Sequence, residues 1–279
     1  MAGKLATVLD VTETKPFDLY QKAKQFGKWD PQKIDFSKDA QDWKRLDADE
    51  KEQIRKICSL FYHGELSVHE NLAMYFIAMP RFDQKAFLTT QMHEEAKHAE
   101  LFAYFFQSIG EQFDTSTYMI PEFVSVLEAD LDRRSRALLD AINGPDEERE
   151  AALVDAVTHY MGVVEGLLAE SGYYALEEMA KRRGILPGLM EGIKQLRIDE
   201  GRHITFGMDF LKEAIERNPA CVERINAVFD QYLANIHITI SYVLDPNPVG
   251  IDSDKFLEYS LQQYRNRLEA IGIAEPAAN

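Results

Sequence analysis

Two short runs far apart in the chain, His93-Glu94-Glu95-Ala96-Lys97-His98 and Asp199-Glu200-Gly201-Arg202-His203, contain the same unit, Glu-x-x-His. Residues three apart lie on one face of an α-helix, so each unit aims a carboxylate and an imidazole at a single point. Two further glutamates, Glu65 in SLFYHGELSV and Glu165 in MGVVEGLLA, stand inside otherwise apolar helical stretches. Four ionised carboxylates converging in a helical interior would each carry a desolvation penalty on the order of several kcal/mol. Unneutralised, they would take up protons or force the helices apart. The set therefore asks for a bundle whose helices face one another around bound cations.

The surrounding punctuation supplies the helices. A helix is predicted from Asp47 to about Met79, stopped by Pro80, and a second from Asp83 to Ile109, stopped by Gly110. A third runs from Pro121 to Ile142 before Asn143-Gly144-Pro145, and the longest from Asp146 to about Arg183, ended by Gly184. Pro187 opens a helix reaching Asn218, Pro219 another that dies at Asp245-Pro246, and Asp252 to Ile271 closes the series. No stretch alternates with period two between hairpin turns, so no strand is predicted. Residues from about 1 to 46 read as irregular, with a short turn of helix between Trp29 and Lys44, and the tail from about 273 to 279 as frayed. The reading is one all-α domain over 1–279: a ferritin-like four-helix bundle core with additional helices.

Composition narrows the partners. With 47 Asp+Glu against 31 Lys+Arg, the formal charge is −16, which opposes the counterion displacement that nucleic-acid binding needs. No membrane span is expected, because no apolar run reaches bilayer length, and the first residues lack the apolar core of a signal peptide. A soluble, cytoplasmic protein is expected. Cys58 and Cys221 read as buried small hydrophobes rather than a disulfide or a metal pair.

A lone Glu-x-x-His is usually a solvated helix face; the ordered set is more specific. One Glu from each of two helices, with Glu-x-x-His from each of two others, is the ligand set of ferritin-like di-metal carboxylate proteins. Glu65, Glu95, His98, Glu165, Glu200 and His203 are the candidate ligands. Carboxylates are hard and can bridge, four of them balance two divalent ions, and imidazole adds a donor suited to iron and manganese. His63, His159 and His237 have no paired carboxylate at helical spacing, and His69 lies one turn from Glu65. His93 and Glu94 point away from the face of Glu95 and His98, and each reads as a surface group or as one that backs a ligand from outside. Asp199 is the best partner for the outer N–H of a ligating imidazole.

The ligand spacing, with EEAKH and DEGRH, resembles the ribonucleotide reductase small-subunit superfamily over roughly residues 40 to 245. Where many members carry a radical tyrosine, four residues after the first histidine, this chain has Phe102. Its first ligand is Glu65, where many members use Asp, and AIGIAEPAAN carries no redox tyrosine. Val68, three after Glu65, and Tyr160, five before Glu165, match the ligand-binding oxidase branch; Tyr173 matches a pocket tyrosine there. That resemblance implies a heterodinuclear Mn and Fe cofactor, with a di-iron centre as the alternative. Manganese would sit at Glu65, Glu95 and His98, iron at Glu165, Glu200 and His203. It also implies O2 activation by a two-electron oxidase, a long-chain fatty acid at the metals, an ether between Tyr160 and Val68, and a homodimer. The native substrate is not specified.

Helical geometry treats these residues unequally. Val68 shares the face of Glu65. Five residues at about 100° each turn Tyr160 roughly 140° from Glu165 on a regular helix. The helix must therefore be distorted near Gly162 and Gly166 if Tyr160 is to face the metals. Gly162, Gly166 and Ala169 form a stripe of small residues that either admits a neighbouring helix or leaves room for an acyl chain. Three other functions share the ligand set: a Mn/Fe reductase subunit, a hydroxylase component, and a metal-storage ferritin-like protein.

Overall fold

A computed structural model describes residues 11–273, the side chain of Ala234 excepted, and within them every regular element is helical. Helix α1 is Lys15–Phe26, α2 Ser37–Trp43, α3 Ala48–Ala78 and α4 Phe82–Ile109. Helix α5 runs through Pro121–Val124, a π turn at Ser125–Asp130, and Leu131–Ala141. Helix α6, Asp146–Arg183, is followed by α7 Pro187–Arg217, α8 Cys221–Val243 and α9 Ser253–Ala270. Helices α3, α4, α6 and α7 carry the six candidate ligands.

The ends are set by local chemistry. Asp47 and Glu50 form a capping box at the start of α3, each side chain accepting from the other's backbone N–H. Gly110 and Gly184 close α4 and α6 in the left-handed region, with φ of 72° and 64°. The start of α7 is held from outside its own helix. Buried Asp39 of α2 accepts from Gly188 N–H at 2.8 Å and Leu189 N–H at 2.7 Å, and Asp42 accepts from Leu186 N–H at 3.1 Å.

Two expectations are corrected. The segment before residue 46 is not irregular over residues 15–26: α1 packs there against α4 and α7. Its N-cap Thr14 accepts from Phe17 N–H, and Pro16, Leu19 and Ala23 form a buried stripe at helical spacing. That stripe is one residue wide, too narrow to stand out from the sequence. The frayed tail and the first ten residues lie outside the described residues, apart from Ile273. Second, α6 is long and apolar enough to cross a membrane by length and composition. However, 83% of its apolar window is buried inside the bundle, so a packed core helix accounts for the pattern.

The distortion required near Gly162 is present and extensive. Between Thr158 and Ala169, α6 is a π-helix, and it returns to α geometry at Glu170–Arg183. Residues five apart, which diverge on an α-helix, come together when the hydrogen bonds run from i to i+5. Tyr160 and Glu165 are such a pair.

Candidate metal centre

The six candidate ligands converge in the interior, none more than 6% exposed. His98 Nδ1 lies 3.4 Å from Glu65 Oε2, 3.2 Å from Glu95 Oε2 and 3.4 Å from Glu200 Oε1. His203 Nδ1 lies 3.1 Å from Glu95 Oε1, 3.6 Å from Glu165 Oε1 and 3.6 Å from Glu200 Oε2. Glu95 and Glu200 thus turn one oxygen towards each imidazole, while Glu65 faces only His98 and Glu165 only His203. Two groups of potential ligand atoms follow: Glu65, Glu95, His98 and Glu200, and then Glu95, Glu165 and His203. Glu200 falls in the first group by proximity, although its Oε2 also faces His203. Glu200 therefore stands within reach of both imidazoles.

The donor set fits a pair of divalent cations. Glu165 Oε2, Glu200 Oε2 and His203 Nδ1 are buried without a hydrogen-bond partner, which is costly for groups that nothing else satisfies. Four carboxylates supply the charge that two divalent ions neutralise. Without cations the site resorts to protons. Burial raises Glu65 well above the carboxylate range, and burial with the Glu200 charge lifts Glu165 to about 8. Burial would raise Glu95 as well, but the two histidines prevail and hold it well below the usual range. Burial acts to lower His98 and His203; the Glu65 charge beside the first and the Glu95 charge beside the second push them well up instead.

Each imidazole faces an outer carboxylate, and that of His203 is hydrogen-bonded to it. His98 Nε2 lies 3.5 Å from Asp199 Oδ2, and His203 Nε2 lies 2.9 Å from Glu94 Oε2. Asp199 is where its neighbour position suggested. Glu94 is not turned out to solvent: α4 presents it, 1% exposed, to α7. Both carboxylates are neutralised from behind. Arg202 bonds Glu94 at 2.5 Å and also Asp199, while Lys97 bonds Asp199 at 3.3 Å and Gly27 O at 2.9 Å. Trp29 donates its indole N–H to Asp199 at 2.7 Å. The sequence reading missed Lys97, Arg202 and Trp29; EEAKH and DEGRH contain the first two, as charges between and beside the ligands.

Tyr160 reaches the site through the π turn. Its hydroxyl donates to Glu95 Oε1 at 2.7 Å, and its ring, 1% exposed, meets Tyr75 edge-on at 5.5 Å. Val68 lines an apolar pocket that ends on Glu65, Glu95, Glu165 and Glu200. The free space for a water-sized sphere in it is only about 60 Å³, and the walls include Phe61, Phe123, Leu127 and Val243. Of the predicted small-residue stripe, Ala169 lines this pocket and Gly162 and Gly166 do not. A Cβ on Gly162 would lie 2.9 Å from the ring of Phe229, and one on Gly166 would lie 3.0 Å from Arg267 Nε. Those two glycines admit α8 and α9. Val164, Leu168 and Gly172, spaced four apart, line the wall instead. Tyr173 is not on the wall either; its ring stacks at 4.6 Å on pocket-lining Phe61, which stacks at 5.4 Å on Phe102. The Tyr173 hydroxyl is buried without a hydrogen-bond partner.

His69 bonds Met92 O and His63 bonds Thr115. His159, buried against Tyr232, is driven down to about 3 by burial. None belongs to either ligand group. Both cysteines are free and buried.

A bundle of four long helices that directs this ligand set inward defines a ferritin-like di-metal carboxylate protein. The profile of the ribonucleotide reductase small chain matches residues 8–276, and the chain belongs to that family. Solved R2-like ligand-binding oxidases superpose on nearly its whole length. A glycine-to-leucine variant with an anaerobically reconstituted Mn/Fe cofactor gives a TM-score of 0.87 at 31% identity, covering 97% of this chain and 96% of its own. A tyrosine-to-phenylalanine variant with an aerobically reconstituted Mn/Fe cofactor gives 0.86 at 30% identity, covering 94% of each chain. A second tyrosine-to-phenylalanine variant, likewise aerobically reconstituted, gives 0.85 at 32% identity over 94% of each. Within the family, the chain falls in this ligand-binding oxidase branch.

Proposed function

We propose that the protein is an oxygen-activating two-electron oxidase that holds manganese and iron at Glu65, Glu95, His98, Glu165, Glu200 and His203. The observation that carries the reading is the apolar pocket ending on four metal-competent glutamates, with Tyr160 hydrogen-bonded to one of them. The Mn/Fe cofactors of the similar oxidases support the metal pair, with two irons as the alternative. When bound, the metal pair supplies two of the four electrons that reduce O2 to water.

The chain supplies the rest. Glu95 Oε1 accepts the Tyr160 phenol proton, and the apolar walls keep bulk water from the reacting atoms. The remaining two electrons leave with one hydrogen from Val68 Cβ and one from Tyr160 Oη as the C–O bond forms between them. A long-chain fatty acid is the ligand we assign to the pocket, its carboxylate at the metal end and its chain along Leu60, Phe61, Leu127 and Val243. The narrow free space means that the acyl chain must displace side chains as it enters. A homodimer in the cytoplasm completes the reading.

The test is to load the metal-free protein with Mn(II) and Fe(II), admit air, and digest it. The peptides containing Val68 and Tyr160 are expected as one species about two daltons below their summed mass, after loss of two hydrogens. Tyr160→Phe should load metals and never link. Organic extraction of protein purified gently should release a fatty acid in near-molar amount. Separate peptides after complete loading in air would remove the ether chemistry from the reading, and absence of any extracted lipid would remove the ligand.

A further inference from the structure

Gln91 occupies a position that neither metal binding nor core packing explains. It lies one turn before Glu95 on α4, is fully buried, and points a polar carboxamide at the metal centre. Its Nε2 is 2.9 Å from Tyr160 Oη, 3.0 Å from Glu165 Oε1 and 3.4 Å from Glu95 Oε1, while its Oε1 has no partner. The amide orientation follows from these neighbours: carboxylates held by cations are acceptors only, so the group facing them must donate. An NH2 group has two hydrogens, and the two nearest acceptors are Tyr160 and Glu165.

Those two residues are five apart on α6. On a regular α-helix they would diverge by about 140°, and no single amide could reach both. On the π segment they stand side by side, and Gln91 joins them from the neighbouring helix. The contact therefore selects the distorted form of α6 over the regular one. It has two local consequences. Tyr160 Oη, donating to Glu95 and accepting from Gln91, is held from two sides. Glu165 Oε1, which also faces His203 Nδ1 at 3.6 Å, is held by Gln91, while its Oε2 has no hydrogen-bond partner.

We propose that Gln91 is a positioning residue that clamps the π turn of α6, fixing the phenol oxygen of Tyr160 for coupling and holding the Glu165 carboxylate beside it. The proposal rests on the assignment of Tyr160 as the linking residue, and two independent readouts separate the two claims. Gln91→Met keeps the side-chain length and removes both donors. With full Mn and Fe content and an unchanged helical spectrum, the rate of Tyr160–Val68 linkage in air should fall at least ~10-fold, since a misplacement of the reacting atoms near 1 Å costs about 100-fold. In the metal-free protein, amide hydrogen exchange over residues 158–169 should rise about tenfold relative to wild type, because an element held by fewer contacts opens more often. If Gln91→Met does not fold, Gln91→Ala, whose space water can fill, provides the same two measurements. Linkage at the wild-type rate together with unchanged exchange overturns the clamp. If the wild type itself never links although loaded, the Tyr160 assignment fails and exchange alone decides: faster exchange in the variant upholds the clamp, unchanged exchange overturns it.

Discussion

Glu95 and Glu200 each present one oxygen to His98 and the other to His203, so a single residue serves both halves of the centre. Removing one should cost more than one ligand. His98→Ala and Glu200→Ala are expected to drop metal content from two ions per chain to one or fewer, while the far-ultraviolet spectrum stays helical. The motivation is that these side chains supply donors, whereas the apolar clusters that stabilise the bundle are built from other residues. Two ions per chain in both variants would defeat the ligand assignment. A second residue-scale prediction concerns Gly162, where a methyl group would meet the rigid ring of Phe229 at 2.9 Å. Gly162→Ala should destabilise the protein by about 1–3 kcal/mol through overpacking, in spite of the gain in helix propensity. A measured stabilisation would show that Phe229 moves aside freely.

Elements were legible in the sequence to different depths. The four long helices of the centre were readable because proline and glycine punctuate them, and because a glutamate inside an apolar helical run is costly enough to mark a site. Four of the six candidate ligands followed from i, i+3 spacing, and Glu65 and Glu165 from their place inside apolar runs. Tyr160 did not: a regular helix turns it away, and only the resemblance to a family of oxidases nominated it. The π segment that reconciles the two has no sequence code beyond permissive glycines, and one of these, Gly162, serves α8 packing. Gln91 was missed for a related reason, since its role depends on a helix that is not α-helical. Helix α1 escaped because three buried residues in twelve make a weak periodic signal. The cap on α7 was equally hidden, being supplied from about 150 residues away in sequence. It carries its own prediction. Asp39→Ala would leave the Gly188 and Leu189 N–H groups unsatisfied and remove a negative charge from the α7 N-terminus. The expected cost is about 2–3 kcal/mol, read as a lower denaturation midpoint with an unchanged slope. Asp39→Asn, which keeps an acceptor, should recover roughly half. Equal losses in the two variants would mean that the charge, and not the hydrogen bonds, holds α7.

At the scale of the whole molecule, the carboxylate centre ties folding to protons and metal together. In the metal-free protein, burial together with the Glu200 charge lifts Glu165 to about 8, burial raises Glu65, and carboxylate neighbours raise both ligand histidines against their burial. The native state then binds more protons than the unfolded chain from the ordinary carboxylate pKa, about 4.3, up to about 8. Stability follows the difference in bound protons, so it is present below that window and is lost as pH rises through it. Glu95 and Asp199, both lowered by their cationic neighbours against burial, act in the opposite sense, but their contribution is lost only as pH falls below the usual carboxylate range. Metal reverses the dependence. Cations displace the protons, so affinity increases with pH, and binding to the native state adds stability where proton binding has stopped doing so. Each tenfold change in proton affinity corresponds to about 1.4 kcal/mol, enough to move a melting temperature by several degrees. Between about pH 5.5 and 8, the Tm of metal-free protein should therefore fall by at least ~5 °C, while that of protein loaded with Mn and Fe stays level or rises. The −16 net charge adds a repulsion that also grows with pH, and Glu165→Gln separates the two effects. It leaves the surface untouched and removes one linked proton, so its metal-free Tm should vary less steeply over the same range. A metal-free wild type whose Tm is flat or rising, or a Glu165→Gln variant just as steep, would mean that the centre does not store protons when it lacks metal.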